Sequence, residues 1–293
     1  MYYFVNDSRD PCYNQAFEEF IFNNFTGGDI LLLWRSDPAV ICGRYQNVFA
    51  EVNVPAAKAA GITLVRRETG GGTVYHDHGN LNYTLISDYD GEGADYERFL
   101  QPVAAVLRSM GVPAETGRIC DIAVEGKKVS GSAQKIAGSR VLHHGTLLFS
   151  ADLATLRQAA NGGRAEYVSK GVASSPWPVV NLQTYLPGMT IEDFQKAMYD
   201  GLTEGKSVET LTLPPEMLSA VRELAERKYR AWDWTFGKNP AYTLTRATPG
   251  GTLVLGSRRG IVERLTLDGQ ELPAGMRLDV DELREHPLFP YLF

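Results

Sequence analysis

Arg66-Arg67-Glu68-Thr69-Gly70-Gly71-Gly72-Thr73-Val74-Tyr75-His76-Asp77-His78-Gly79-Asn80-Leu81-Asn82 is the stretch from which the rest of the chain can be read. Its two arginines end an expected strand at 62–65, three glycines and a polar turn follow, and a second strand is expected at 81–86. Consecutive glycines let main chain pass close to a ligand and turn successive N–H groups toward an anion. The adjoining guanidinium groups are planar, permanently charged forks suited to phosphate or carboxylate. A glycine-rich hairpin with solvent-facing arginines is the plainer reading of the same residues. No Gly-Lys-Ser/Thr follows the glycines, so this is not a Walker loop. A strand rather than a helix comes next, which also excludes a dinucleotide fingerprint.

A second segment, Asp121-Ile122-Ala123-Val124-Glu125-Gly126-Lys127-Lys128-Val129-Ser130, reads as a hairpin with strands at 119–124 and 127–130. Glu125-Gly126 supplies a two-residue turn. In that register Val124 pairs with Lys127, Ala123 with Lys128, Ile122 with Val129 and Asp121 with Ser130. Faces alternate along each strand, so Asp121, Ala123, Lys128 and Ser130 share a polar face. Cys120, Ile122, Val124, Lys127 and Val129 share the other, which makes Cys120 an inert core thiol. The polar face suits a ligand, although a solvent-facing hairpin with an ordinary Asp–Lys ion pair fits the same pattern. His143 and His144 precede Gly145-Thr146 and either line a pocket or are structural imidazoles.

The chain has 293 residues, 44% of them hydrophobic, enough for one large and one small domain. A formal net charge of −6 argues against nucleic acid as partner. No apolar run reaches the roughly 18 residues that mark a membrane span, and the first residues lack the features of a signal peptide. The three cysteines, Cys12, Cys42 and Cys120, are scattered without metal-ligand spacing and read as reduced thiols of a cytoplasmic protein.

In chain order, a strand is expected at 3–5 and a helix from Asp10-Pro11 to about residue 25. A hairpin buried on both faces follows at 30–35 and 39–42, then the polar segment Gly43–Asn47 and a short helix at 55–61. Helices are expected at 97–110, from Asp152 to 160, at 190–202 with a Thr190/Asp193 capping box, and at 214–229. A strand is expected at 141–150, and 161–178 is irregular. Trp232–Pro240 is an aromatic junction, which places a division between residues 1–235 and 236–293. Beyond it, strands at 242–247, 252–256 and 261–267 form a small antiparallel sheet, and a helix at 279–285 closes the chain.

Arg-Arg-x-x-Gly-Gly-Gly-x-Val-x-His-Asp-x-Gly-Asn, at residues 66–80, resembles the signature of lipoate–protein ligases and their octanoyltransferase cousins. Asp121–Gln134 is similar to that family's lysine hairpin, His143–Leu148 to its third block, and Asp10, Pro11, Asn14, Ala16, Glu18 and Glu19 to its opening. The resemblance spans about the first four-fifths of the chain. It implies an α+β fold: mixed β-sheets flanked by helices, a biotin/lipoate ligase-like catalytic domain with a small, abbreviated α+β accessory domain. It implies ATP-dependent activation of lipoate to lipoyl-AMP and transfer to a lysine of an acceptor. Those acceptors would be apo lipoyl domains of 2-oxoacid dehydrogenase E2 subunits or the glycine cleavage H protein, served by a monomeric enzyme.

Carried onto this sequence, Arg67, Gly72, Thr73, Val74, Tyr75 and Lys128 match the family's ATP contacts. Arg66, Gly71, His76, Lys128 and His144 match its lipoate contacts, Lys128 being catalytic, and Asp121 is placed to help hold Mg²⁺. Residues 161–178 resemble the segment that rearranges as the adenylate forms, but Ser174-Ser175-Pro176-Trp177-Pro178 stands where relatives often carry arginines. Two other readings stay open: an octanoyl or lipoyl transferase working through an acyl-cysteine without ATP, and a non-catalytic lipoate-binding relative.

Overall fold

The apolar runs of this sequence are gathered into three sheets. The computed structural model describes residues 1–117, 120–159, 162–163, 166–175 and 177–293. The largest sheet has eight strands in the order Glu209–Leu211, Tyr2–Phe4, Ile30–Trp34, Asn80–Asp88, Arg140–Leu148, Lys127–Ala137, Asp121–Val124 and Ala114–Thr116. Tyr2–Phe4 runs parallel to both of its neighbours, and the other pairs are antiparallel. Period-two alternation sorts its side chains. Leu31, Leu33, Leu81 and Tyr83 pack beneath the helices Glu97–Ser109 and Ile191–Thr203. Ile30, Leu32, Trp34 and Ile86 pack on the other side with Phe17, Ile21 and Phe22 of the helix Pro11–Asn24.

The stretch expected as a hairpin at 30–42 divides between two sheets. Ile30–Trp34 stays in the large one, whereas Ala39–Cys42 becomes the centre of a three-stranded sheet between Thr63–Arg66 and Val74–His76. Both strands are fully buried, as continuous apolar runs require, but burial on two faces does not name the neighbour. The short strand Val74–His76 directly after the glycines was not anticipated either. The third sheet, ordered Tyr167–Ser169, Tyr242–Thr248, Gly251–Arg258, Ile261–Leu267, Gln270–Glu271, takes its first strand from well before residue 236. Its core residues Leu244, Leu253, Leu255 and Val262 form one cluster with Val48, Phe49 and Val52.

Local signals hold where they are chemical rather than statistical. Asp10 caps the first helix through Cys12 and Tyr13 N–H, with Pro11 in its first turn. The Thr190/Asp193 capping box is present. Asp152 caps Leu153–Ala159 through Ala154 and Thr155 N–H; the expected last residue of that helix, 160, lies outside the described residues, as do 161, 164, 165 and 176 of the irregular segment. The helix at 214–229 becomes Pro215–Leu224 followed by a π turn, Ala225–Tyr229. No helix forms at 279–285, where turns run instead, and the last helix is Phe289–Leu292. Among the described residues no helix is long and apolar enough to cross a membrane.

Candidate active site

The lysine hairpin forms with a bulge. Glu125 and Gly126 take φ of 50° and 73°, the left-handed pair that a tight two-residue hairpin turn needs. Val124 pairs with Lys127 and Ala123 with Lys128 as expected; the register then slips, so that Ile122 faces Ser130 and Asp121 faces Gly131. The expected start of the first strand, residue 119, lies outside the described residues, and the strand begins at Asp121. Asp121 and Lys128 still meet, Oδ1 to Nζ at 2.6 Å. A Cβ on Gly131 would stand 2.7 Å from both Cε and Nζ of Lys128, so the glycine leaves room for the ammonium. The Lys128 main chain is held as well: its N–H donates to Pro178 O, and its carbonyl accepts from Val180 N–H.

The paired arginines have different jobs. Arg66 is wholly buried, and its guanidinium donates to the carbonyls of Gly43, Arg44, Gln46, Trp234 and Thr235 and to Asn239 Oδ1. It lines neither cavity described below. Where a lipoate contact was expected, Arg66 has the geometry of a brace: its donors go to main-chain carbonyls and to Asn239. Arg67 is buried too but lies beneath the glycine loop. Its Nη2 donates to Gly70 O at 2.6 Å and Gly72 O at 2.7 Å, Nη1 to Ile41 O, and Nε to Thr69 Oγ1. Burial pushes both guanidinium groups down to about 10, so both remain cationic at neutral pH. Gly71, at φ 84°, sits with its α-carbon side against the Arg67 fork.

Two cavities meet at Lys128. The larger, about 650 Å³, is bounded by Thr73, Val74, Tyr75, Lys127, Arg157 and a strap that includes Ser174, Ser175 and residues 177–180. The smaller, about 360 Å³, holds Trp34, Arg67, Gly71, His76, Asn82, Cys120, Asp121 and His144. Thr73, Val74, Lys128, Gly131 and Thr146 belong to both. Of the residues expected at ATP, Thr73, Val74, Tyr75 and Lys128 thus border the larger cavity, while Arg67 and Gly72 lie in the smaller. The smaller cavity runs across the large sheet. Trp34 pairs with Asn82, Asn82 with Thr146, Thr146 Oγ1 meets Gly131 N–H, and Gly131 pairs with Asp121. Three interstrand steps from Gly131 to Trp34 make a floor about 14 Å long.

His76 is buried against the Trp34 edge, and burial drives its imidazole down to about 3, so it is neutral; its Nδ1 has no partner among the described residues. His144 uses both ring nitrogens, Nδ1 on Glu18 and Nε2 on Thr69 Oγ1, and so offers the cavity only its ring. His143 lies outside both cavities, stacked on Phe99 with its centroid 5.0 Å away. Cys120 corrects the expected facing: it borders the smaller cavity half-buried, with Sγ 3.9 Å from Asp121 Oδ1, because the regular strand does not reach it. Burial, then the Asp121 carboxylate, push that thiol up.

Several further groups line or support the cavities, of which Gln46, Trp34 and Asn82 carried no assigned role in the sequence. Gln46 Oε1 accepts from Gly43 N–H and Thr73 Oγ1, and its Nε2 donates to Ser174 Oγ. Ser174 in turn donates to Glu51 and accepts from Thr73 N–H, tying the strap to the glycine loop. Trp177 Nε1 donates to Gly126 O across the hairpin turn. Trp34 and Asn82 hold the far half of the cavity floor. The polarity of the Gly43–Asn47 segment was the one hint of the Gln46 contacts. Nothing in one sequence distinguishes Trp34 from the buried residues beside it.

Residues 10–203 match the family described as the lipoyl protein ligase A/B catalytic domain. A lipoate–protein ligase 1 of Staphylococcus aureus is 37% identical over 82% of this chain and 74% of its own. A Thermoplasma acidophilum structure with bound lipoic acid superposes with a TM-score of 0.68 at 27% identity, covering 80% of this chain and 97% of its own. A bipartite lipoate protein ligase from the same organism, described together with its E2 lipoyl domain, gives 0.69 at 26%, covering 80% and 94%. A lipoate-protein ligase A bound with ATP gives 0.67 at 26%, covering 80% and 97%.

Proposed function

We propose that this chain, which belongs to the lipoyl protein ligase A/B catalytic family and is a ligase, activates lipoate with ATP and transfers the lipoyl group to a lysine of an acceptor lipoyl domain. The observation that carries this reading is the place of Lys128, its ammonium at the junction of a large cavity and a narrow cross-sheet slot. Relatives of this fold are described with ATP, with lipoic acid and with a lipoyl domain. The larger cavity takes the nucleotide and the slot takes the acyl chain, which brings carboxylate and α-phosphate together at Lys128.

In the first step a carboxylate oxygen of lipoate attacks the α-phosphorus, and the bond to the bridging oxygen breaks to release pyrophosphate. In the second, the acceptor ε-amine attacks the acyl carbonyl, and the C–O bond breaks to release AMP. Lys128 offsets the charge that gathers on phosphoryl and carbonyl oxygens in both. Asp121 aims Lys128 through their ion pair. Among the described residues no group of three metal-ligating side chains exists, so the protein part of an Mg²⁺ site would be the Asp121 carboxylate. One carboxylate suits an ion of that kind, which would supply positive charge to the nucleotide when bound. E2 lipoyl domains or the H protein as acceptors, a cytoplasmic monomer, and a division into residues 1–235 and 236–293 belong to the same reading.

Purified protein incubated with lipoate, ATP and an apo lipoyl domain is expected to raise the acceptor mass by one lipoyl group and release pyrophosphate. Acceptor acylation from a donor protein without ATP would establish the transferase instead. Lipoate binding with no pyrophosphate would establish the sensor.

A further inference from the structure

We propose that Glu18 is the positioning residue of the narrow slot, aiming its two aromatic walls and, through Thr69, the arginine under the glycine loop. The inference rests on the slot being the acyl site. Glu18 sits on the helix Pro11–Asn24, is buried, and borders neither cavity. Its carboxylate accepts from Thr84 Oγ1 at 2.6 Å and from His144 Nδ1 at 2.9 and 2.8 Å. Thr84 Oγ1 in turn accepts from the Trp34 indole N–H at 3.3 Å. Both rings so held, Trp34 and His144, line the slot.

The proton arrangement follows from the chain of bonds. Thr69 Oγ1 accepts the Arg67 Nε–H, and among the described residues its own proton has one acceptor, His144 Nε2 at 2.7 Å. Nε2 is then unprotonated, and Nδ1 carries the hydrogen that Glu18 receives. One carboxylate thereby fixes the His144 tautomer, orients Thr69, and leaves Arg67 free to spend Nη2 on the carbonyls of Gly70 and Gly72. A buried carboxylate is a poor device for stability, because its desolvation offsets its attractions. Its use here is geometric: groups acting one bond behind a site orient the ones in front.

The test uses Glu18→Gln and Thr69→Val in the full chain. Each should lower kcat/KM for lipoate in lipoate-dependent pyrophosphate release by about 10- to 100-fold, the range that supporting partners command, with KM for ATP within about twofold of wild type. In Glu18→Gln the His144 ¹⁵N resonances should leave the Nδ1–H pattern, a change that loss of packing alone does not produce. Wild-type ¹⁵N shifts and kcat/KM in Glu18→Gln would overturn the proposal. So would an equal rise in both KM values with a lowered urea midpoint, which marks a structural role. Failure of wild type to release pyrophosphate would count against the ligase reading, while the tautomer measurement would still decide the role of Glu18.

Discussion

Asp121 Oδ1 and Lys128 Nζ stand 2.6 Å apart across a bulged hairpin, at the point where the nucleotide-sized cavity opens into the narrow slot. The lysine side chain is 27% exposed and the aspartate 9%, so the pair is aimed at the cavities rather than sealed in the core. Lys128→Ala should lower kcat for pyrophosphate release by about 10²- to 10³-fold, the loss typical of one charge-stabilising donor. Unfolding free energy should fall by no more than about 1 kcal/mol, since a part-exposed pair is screened. Wild-type turnover in a folded Lys128→Ala protein would remove the lysine from the mechanism.

Two glycines, one against this lysine and one against the glycine loop, should respond in opposite ways. At Gly131 an added Cβ meets only the far end of the Lys128 side chain, at 2.7 Å, and that end can swing aside. Gly131→Ala should therefore keep its melting temperature and lose much of its turnover. At Gly43 an added Cβ would lie 2.1 Å from Gly71 O, a backbone atom held in the glycine loop. Gly43→Ala should lose stability and ligand binding together. Calorimetry beside steady-state kinetics on the two variants checks the contrast; equal behaviour would mean that Gly131 does not set the place of the ammonium.

Arg66 gives a stability prediction of another kind. Removing it strips donors from five carbonyls, three of them in fully buried contacts, and from an asparagine, which together link residues 43–46 to 234–239. Arg66→Met should cost about 3–5 kcal/mol in urea unfolding, as for other broken buried networks. If Arg66 were a ligand contact, the variant would keep its stability and lose lipoate affinity.

Acid should act through the two buried neutral imidazoles, His76 and His143, each driven by desolvation down to about 3. A histidine whose folded-state value is depressed binds its proton first in the unfolded chain. Stability is thus fully present above the unfolded value near 6.5 and drains as pH falls from there toward about 3. Each group contributes a slope of up to about 1.4 kcal/mol per pH unit in that window. Replacing His143, which touches neither cavity, by Phe should reduce the slope between pH 6 and 4.5 by about that amount. An unchanged slope in chemical denaturation would place its protonation elsewhere.

The legible part of this fold was local. Glu125-Gly126 specified a tight hairpin turn, and alternation put Asp121 and Lys128 on one face, where the structure has them. The bulge after Ala123 was not legible, because an extra residue leaves no mark in an alternating pattern of mixed small residues. Nor could adjacent arginines be told apart: Arg66 and Arg67 have the same chemistry, and strand alternation sends one to a brace and the other beneath the loop. The slot floor, Trp34–Asn82–Thr146–Gly131, joins the hairpin at 127–148 to two strands far from it in sequence. Its existence depends on sheet order, which a single sequence does not contain. Glu18 was visible only as one acid of an opening motif, with nothing to say which groups it would face.

Cys120 decides between the ligase and an acyl-cysteine transferase, and its observed place makes the question sharper than sequence did. The thiol borders the slot, 3.9 Å from Asp121 Oδ1, so access does not excuse it from chemistry. Its protonation state does. A nucleophilic cysteine needs thiolate, supplied by cationic surroundings or a partner base. Here burial and Asp121 push the thiol up, and Lys128 and Arg67 pull it down by less. Cys120→Ser should therefore keep ATP-dependent lipoylation within about threefold of wild type, since one small half-buried atom is exchanged and no activated nucleophile is lost. Iodoacetamide should modify wild-type Cys120 slowly at pH 7 and faster as pH rises. An acyl adduct trapped on Cys120, with loss of activity in a folded Cys120→Ser protein, would defeat the ligase assignment and make the cysteine the acyl carrier.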